Sequence, residues 1–494
     1  MKENMKLTDL IRYLDVCELL GSGDTEIAGL EYDSRRVASG MMFAAISGYK
    51  TDGNEFIPEA VAKGAAALLC DRRPEVDLPA VVVPDVRRAL ADLAAAFYDF
   101  PGRKMDIFGV TGTNGKSSAV FMIKAILEKN GTKSGMINSL VYDTGKAQYK
   151  AERTTPDSVE MQKYLAEILA SGRTAAVVET SSHALVLHRV DNIDFKYGLF
   201  TGFSRDHLDF HKTMEQYLAA KKLLLDKLSG PKRRAVINAD TPEFAAFVAD
   251  APGPVMTFSA AGNKADVGIE KARLDQGGTS FELVTPTGRT KVTYHLPGRY
   301  NLTNAAGAAA VGVAAGIADD TIAAALETMA PIPGRFQPLR GGQPFAIIID
   351  YAHTPDALER LCRSAREITS GRVLILFGCG GDRDRGKRPL MAAAASGCAD
   401  LAVLTSDNPR TEDPQRILDD ARAGMVGDNY RVIPDRREAI RELIGAARAG
   451  DTVLLAGKGA EEYQEIGTVR YPFSDSDETR KVLAESGYVE ETAR

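Results

Sequence analysis

Short runs of Val, Ile and Leu, each followed by residues at helical spacing, recur along most of the chain, at 107–110, 175–178, 236–237, 347–349, 373–377 and 401–404. Strands that are apolar on both faces, alternating with helices, predict parallel sheets covered by helices, an α/β fold. Pro101-Gly102 falls between a helical pattern ending at Phe100 and an apolar strand at 105–110. Pro331, Pro333 and Gly334 fall between an Ala-rich helical stretch and a strand at 345–349. These breaks predict a small N-terminal α/β domain of residues 1–101, a central domain of 102–333 and a C-terminal domain of 334–494. The Ala- and Gly-rich stretch 305–318 is too short to span a membrane and predicts a helix packed closely inside the protein.

The residues after each apolar run carry more information than the runs. Thr111-Gly112-Thr113-Asn114-Gly115-Lys116, Glu179-Thr180-Ser181-Ser182-His183, Asp350-Tyr351-Ala352-His353, Gly380-Gly381-Asp382-Arg383 and Asp407-Asn408-Pro409-Arg410 all follow strands directly. Ligands of open α/β sheets bind beyond the carboxyl ends of the strands, so these clusters stand where active sites form, in two different domains.

Composition limits the partners. With 494 residues, 44% hydrophobic and 26% charged, the chain reads as a soluble enzyme of several domains. A net charge of -6 argues against nonspecific nucleic-acid or anionic-membrane binding. Cys17, Cys70, Cys362, Cys379 and Cys398 are scattered, odd in number and without metal-ligand spacing, which predicts no disulfide framework and a reducing cytoplasm. Asp9, Asp15 and Glu18 interrupt the apolar residues of the N-terminus, which does not read as a signal peptide.

The stretch from Gly109 to Ser118 joins a strand to a helix reaching about Asn130. Glycines let backbone N–H groups turn toward phosphate oxygens, the helix N-terminus adds partial positive charge, Lys116 adds a full one, and Ser117 can reach Mg²⁺. Val110 stands where the strict phosphate-loop pattern has glycine, so the loop is a variant. Glu179 at a strand end and His207 in Ser204-Arg205-Asp206-His207-Leu208-Asp209 suit a metal that bridges phosphates; Mg²⁺ prefers oxygen, and the imidazole makes Mn²⁺ an alternative. On the helix predicted over 213–228, Lys221 shares an apolar stripe with Tyr217, Leu224 and Leu225. A lysine there must snorkel, pair or lose its charge, and a desolvated amine is reactive toward carbon dioxide.

Together these motifs resemble the Mur ligase family over nearly the whole chain, most closely the branch adding the third peptide residue to a UDP-muramoyl dipeptide. The resemblance implies a central P-loop-type ATP-binding parallel sheet, a Rossmann-like C-terminal domain that binds the amino acid, and an N-terminal domain that binds the UDP-sugar. Tyr32-Asp33-Ser34-Arg35 and Gly48-Tyr49-Lys50-Thr51-Asp52-Gly53 are similar to the family's nucleotide-sugar segment, which puts Ser34 at the uridine end. Gly112, Thr113, Asn114, Gly115, Lys116, Ser117 and Ser118 match the ATP loop, with Asn301, Arg335, Asp350 and His353 as further ATP contacts. Thr154, Thr155, Ser181 and Arg189 match muramoyl-peptide positions.

By the same resemblance Lys221 is carbamylated and joins Ser117, Glu179 and His207 as a metal ligand, with Lys116, Lys221 and His207 catalytic. Read alone, Asp407-Asn408-Pro409-Arg410 is a strand-end turn with a solvated arginine sooner than a binding site. The resemblance makes these four residues, with Arg383, Gly457 and Glu461, the site for meso-diaminopimelate, Arg410 gripping its distal carboxylate. ATP, UDP-muramoyl dipeptide and diaminopimelate are the implied small-molecule partners of a monomer. Thr201-Gly202-Phe203, Gly457-Lys458-Gly459-Ala460 and 136–142 depart from the family pattern. A lysine-adding ligase, a folylpolyglutamate-type ligase and a P-loop NTPase driving a conformational change are the competing readings.

Overall fold

The computed structural model describes residues 4–48, 51–275 and 278–488. Tyr49 and Lys50 of the nucleotide-sugar segment lie outside the described residues. The chain divides into two compact units, Met1–Val267 with Gly307–Ile322, and Gly268–Ala306 with Ala323–Arg494. Among the described residues, no helix is long and apolar enough to cross a membrane.

The first unit contains two main sheets, besides the short antiparallel pair of Met5–Lys6 with Glu26–Ile27. The N-terminal one pairs Gly29–Glu31, Met41–Ala44, Ala67–Cys70 and Ala80–Val82 in parallel, with Glu18–Leu20 antiparallel at one edge. In the central sheet the strand Asp106–Thr111 runs between Ala175–Glu179 and Phe195–Phe200, in parallel register with both. Ser134–Ile137 continues it on one side, Arg234–Asn238 and Val255–Ser259 on the other, all parallel. The expected apolar runs therefore form buried strands, because each has helices on both faces to cover it. Val141–Asp143 and Gln148–Lys150 extend one edge antiparallel. The alternation of runs and helices gave no sign of these two, which are short and half polar.

The helix Arg299–Ala314 takes the place of the expected helical stretch at 305–318. Residues 307–314 of it lie against the central sheet, where a Cβ on Gly307 would stand 3.1 Å from Phe258. Close approach of a small-residue face is what the composition predicted.

The second unit holds an antiparallel meander, Val267–Asp275, Gly278–Thr285 and Gly288–Tyr294. Its main sheet orders Gln337–Leu339, Ala346–Asp350, Thr452–Ala456, Val373–Cys379, Leu401–Ser406 and Tyr430–Val432, all parallel except the first. Asp350 is in register with Ala456 and Cys379 with Ser406, so the segments after four strands emerge at one edge.

One cysteine pair lies outside what the spacing along the chain suggested. Cys362 and Cys398 are paired as a disulfide with Cα atoms 6.0 Å apart. Spacing rules read proximity along the chain, whereas this pair forms between the helices Pro355–Ile368 and Lys387–Cys398, which pack side by side. Cys17, Cys70 and Cys379 are free, so it is a single cross-link and not a framework.

Candidate active site

The phosphate loop lies between the end of its strand and the helix Lys116–Lys129. Gly112 (φ +143°) and Gly115 (φ +82°) supply the backbone turns, and a Cβ on Gly112 would fall 2.0 Å from Thr201 Oγ1. That hydroxyl braces the loop by donating to the Asn114 carbonyl at 2.6 Å. Thr113 Oγ1 is 3.2 Å from the Tyr217 hydroxyl, Lys116 Nζ donates to the Thr113 carbonyl at 3.0 Å, and Ser118 is buried in the first helical turn.

Ser117 Oγ donates to Glu179 Oε2 at 2.9 Å, and the Ser139 amide reaches the same oxygen at 3.1 Å. Glu179 is buried at its strand end, one strand away from the loop. A buried carboxylate beside a phosphate-loop hydroxyl is an oxygen donor set that fits Mg²⁺. Among the described residues no three His, Cys, Asp or Glu side chains form a metal nest. A carbamate on Lys221 would add the oxygens that such a set lacks. Ser139 had no signal in the sequence beyond standing after a strand.

Lys221 is 2% exposed, and its Nζ donates to the Gly112 carbonyl at 2.7 Å while lying 4.5 Å from the centre of the Tyr217 ring. Burial pushes its pKa well below 10.5, the nearby Lys116 charge adds to this, and Asp206 and Glu179 oppose it. The rings of His183 and His207 meet edge to face with centroids 4.8 Å apart, and His211 Nε2 lies 3.0 Å from Ser182 Oγ. Burial lowers the pKa of His207, and it holds His183 at about 4, with His207 adding to the shift. His188 is separate: its Nδ1 pairs with Asp191 at 2.7 Å, a structural contact.

Thr155, Ser181 and Arg189 lie together. Thr155 Oγ1 donates to the Glu179 carbonyl at 2.8 Å and receives the Ser181 amide at 3.1 Å. Arg189 donates to the Thr155 carbonyl at 3.2 Å and pairs with Asp157 at 2.8 Å. Thr154 precedes this group, half-buried. Ser34 is buried, with Oγ donating to Glu59 at 2.6 Å.

In the second unit Asp350 accepts from the Phe336 and Ala352 amides at 2.7 and 2.8 Å; burial raises its pKa while Arg335 opposes the rise. Arg335 lies over the Tyr351 ring at 4.9 Å, and His353 Nδ1 lies 2.8 Å from the Tyr351 carbonyl. Asn301 is fully buried, and its Nδ2 is committed to the Pro297 carbonyl at 2.8 Å.

The Asp407–Arg410 segment is built into the same unit. Asn408 Nδ2 donates to Glu461 Oε2 at 2.9 Å, and Arg410 Nη1 donates to the Gly381 carbonyl at 2.7 Å. Arg410 (φ +51°) also faces Glu465 at 3.4 Å. Pro409 abuts Gly381 so closely that a Cβ there would stand 1.9 Å from its carbonyl oxygen. Gly457 (φ +109°) passes Asp407, where a Cβ would stand 2.9 Å from Oδ2. Arg383 is exposed beside Gly380, at the rim of the group. Beneath it are two cations that the motif reading passed over, Lys458 and Arg436, both buried.

Residues 26–98 match the Mur ligase family catalytic domain, 110–312 the Mur ligase middle domain and 334–459 the Mur ligase glutamate ligase domain. A UDP-N-acetylmuramoyl-L-alanyl-D-glutamate--2,6-diaminopimelate ligase of Geobacillus kaustophilus is 44% identical over 98% of this chain and 100% of its own length. A solved structure of a ligase of that name superposes with a TM-score of 0.70 at 32% identity, covering 98% of this chain and 100% of the other. The MurF ligase of Thermotoga maritima in complex with ADP shares the fold, with a TM-score of 0.63 at 18% identity over 87% of this chain and 94% of its own. With its phosphate loop, buried lysine and strand-end clusters falling in domains matched in order and nearly end to end, the chain belongs to the Mur ligase family.

Proposed function

We propose that the protein ligates meso-diaminopimelate to UDP-N-acetylmuramoyl-L-alanyl-D-glutamate at the expense of ATP, a step of peptidoglycan precursor synthesis. The observation that carries the specificity is the Asp407–Arg410 segment, where Asn408 donates to the Glu461 carboxylate and Arg410, against the Gly381 carbonyl and Glu465, brings a guanidinium to the same segment. Such a pairing suits an amino acid whose far end carries both a carboxylate and an ammonium. The relatives' names support the same substrate.

Joining a carboxylate to an amine in water has no driving force, so the carboxylate is activated first. A D-glutamyl side-chain oxygen attacks the γ-phosphorus of ATP, the bond to the β-phosphate oxygen breaks, and ADP leaves an acyl phosphate. The diaminopimelate amine adds to the acyl carbon and loses a proton to solvent. The tetrahedral intermediate then expels inorganic phosphate. Lys116 and the loop amides hold the phosphates in a desolvated turn, where they stabilise the charge that develops in transfer. Mg²⁺ bound at Ser117 and Glu179, with His207 and a carbamate on Lys221, would neutralise phosphate charge. Thr155, Ser181 and Arg189 hold the acceptor peptide, Ser34 the uridine end, and Arg335, Asp350 and His353 the nucleotide. In this reading residues 1–101, 102–333 and 334–494 serve the UDP-sugar, ATP and the amino acid in turn, in a cytoplasmic monomer.

Phosphate release with ATP, UDP-muramoyl dipeptide and a panel of amino acids tests the proposal. Turnover that needs the dipeptide and is fastest with meso-diaminopimelate is expected. ATP hydrolysis indifferent to both acceptors would refute it in favour of a nucleotide-driven switch.

A further inference from the structure

Lys458 is 0% exposed, and the mechanism above does not use it. Its Nζ donates to Asn408 Oδ1 at 3.0 Å, to the Tyr463 carbonyl at 2.8 Å and, more loosely, to Glu461 Oε2 at 3.4 Å. The Phe473 and Tyr463 rings flank it, with centroids 5.8 and 5.9 Å away. A lysine ammonium has three N–H donors, and these three partners occupy them all. Lys458 therefore has none left for a substrate.

Its effect falls on Asn408. The amide oxygen takes Lys458 and the Glu465 N–H, at 3.0 and 2.9 Å, which fills both of its lone pairs. Turning the amide over would set an NH₂ group against a buried ammonium. The Asn408 Nδ2 is thus held toward Glu461 at 2.9 Å with a second N–H to spare. Glu461 is drawn to the same cation, which keeps its carboxylate beside Asn408.

We infer that Lys458 is a positioning residue for the amino-acid pocket: it fixes which end of the Asn408 amide faces the substrate and holds Glu461 beside it. The inference rests on the reading that Asn408 and Glu461 bind the incoming amino acid. Losing a hydrogen bond to a charged group from a buried site weakens binding roughly 10- to 100-fold. Lys458→Met should raise the KM for the amino acid by that factor, with the KM values for ATP and the UDP-muramoyl dipeptide within about twofold of the parent. Lys458→Gln, which keeps one donor for Asn408 and disturbs folding less, should fall between parent and Lys458→Met.

The decisive step is a double-mutant cycle on the full-length enzyme. In an Asn408→Ala background, Lys458→Met should lose most of its effect on the amino-acid KM, because the group through which it acts is gone. Additive effects, or an equal rise in all three KM values, would mark Lys458 as a general structural cation and overturn the inference. If Asn408→Ala and Glu461→Gln leave the amino-acid KM unchanged, the pocket assignment itself fails, and the inference falls with it.

Discussion

Lys221 and Gly112, 109 residues apart in sequence, are joined by a 2.7 Å hydrogen bond from the lysine Nζ to the carbonyl of the phosphate loop. The contact places a desolvated amine against the loop that would hold the transferring phosphate. If its carbamate is needed for turnover but not for folding, activity and stability should separate. Lys221→Met should fold with a melting temperature equal to or above that of the parent, since a bare buried amine is costly, and should lose roughly 10²-fold or more in ligation rate. Short carboxylates should restore part of the activity of Lys221→Ala. Near-normal turnover by Lys221→Met would remove the lysine from the mechanism.

Gly112 tests the loop itself. Its backbone lies at φ +143° and a Cβ would collide with Thr201 Oγ1, so Gly112→Ala must strain or shift the turn. Such strain costs on the order of 1–3 kcal/mol, and the turn positions the amides that would receive phosphate. Weaker ATP binding and a lower melting temperature are expected, from calorimetry and thermal melts. An unaltered ATP affinity would show that the loop does not hold the nucleotide in this conformation.

These two features were legible in the sequence for a physical reason: a phosphate loop needs glycines at fixed offsets, and a lysine on an apolar helical stripe stands out by periodicity. The buried strands were legible too, because each is apolar on both faces. The burial of Lys458 and Arg436 was not, although Lys458 stands in the Gly457–Ala460 motif, since a buried cation has no periodic signature and is recognised only once its partners converge. The Cys362–Cys398 pairing depends on how two helices pack, and the hydrogen bond from Asn301 Nδ2 to the Pro297 carbonyl forms where the chain turns into its helix. Side-chain commitments of this kind are settled in three dimensions.

Arg436 and Asp475 form an ion pair in which both side chains are 0% exposed, with bonds of 2.7 and 2.6 Å. Removing one partner leaves a buried charge uncompensated, at about 3–5 kcal/mol, whereas replacing both with apolar groups is often tolerated. Asp475→Ala should therefore be much less stable in denaturant melts than the Arg436→Met/Asp475→Leu double variant. Equal losses in the two would show that the pair is not coupled.

His188 gives a pH signature. Its hydrogen bond to Asp191 raises its pKa above 6.5, with the Asp191 and Asp85 charges adding and burial opposing. A raised histidine contributes stability that is full below the unfolded value and is lost as pH rises through the folded one. His188→Asn, which tolerates the positive φ of 58°, should be destabilised more at about pH 6 than at about pH 9. A gap that widens with pH would contradict the ion pair.

The central claim is that Arg410 selects the amino acid, and the most direct measurement compares kcat/KM for meso-diaminopimelate and L-lysine in the parent and in Arg410→Ala. Lysine lacks the distal carboxylate and would forgo its charge-assisted pair with the guanidinium, a difference of several kcal/mol or roughly 10³-fold in kcat/KM. The parent should prefer diaminopimelate strongly, and the preference should collapse in Arg410→Ala. Equal or better use of lysine by the parent would contradict the specificity assigned to this site.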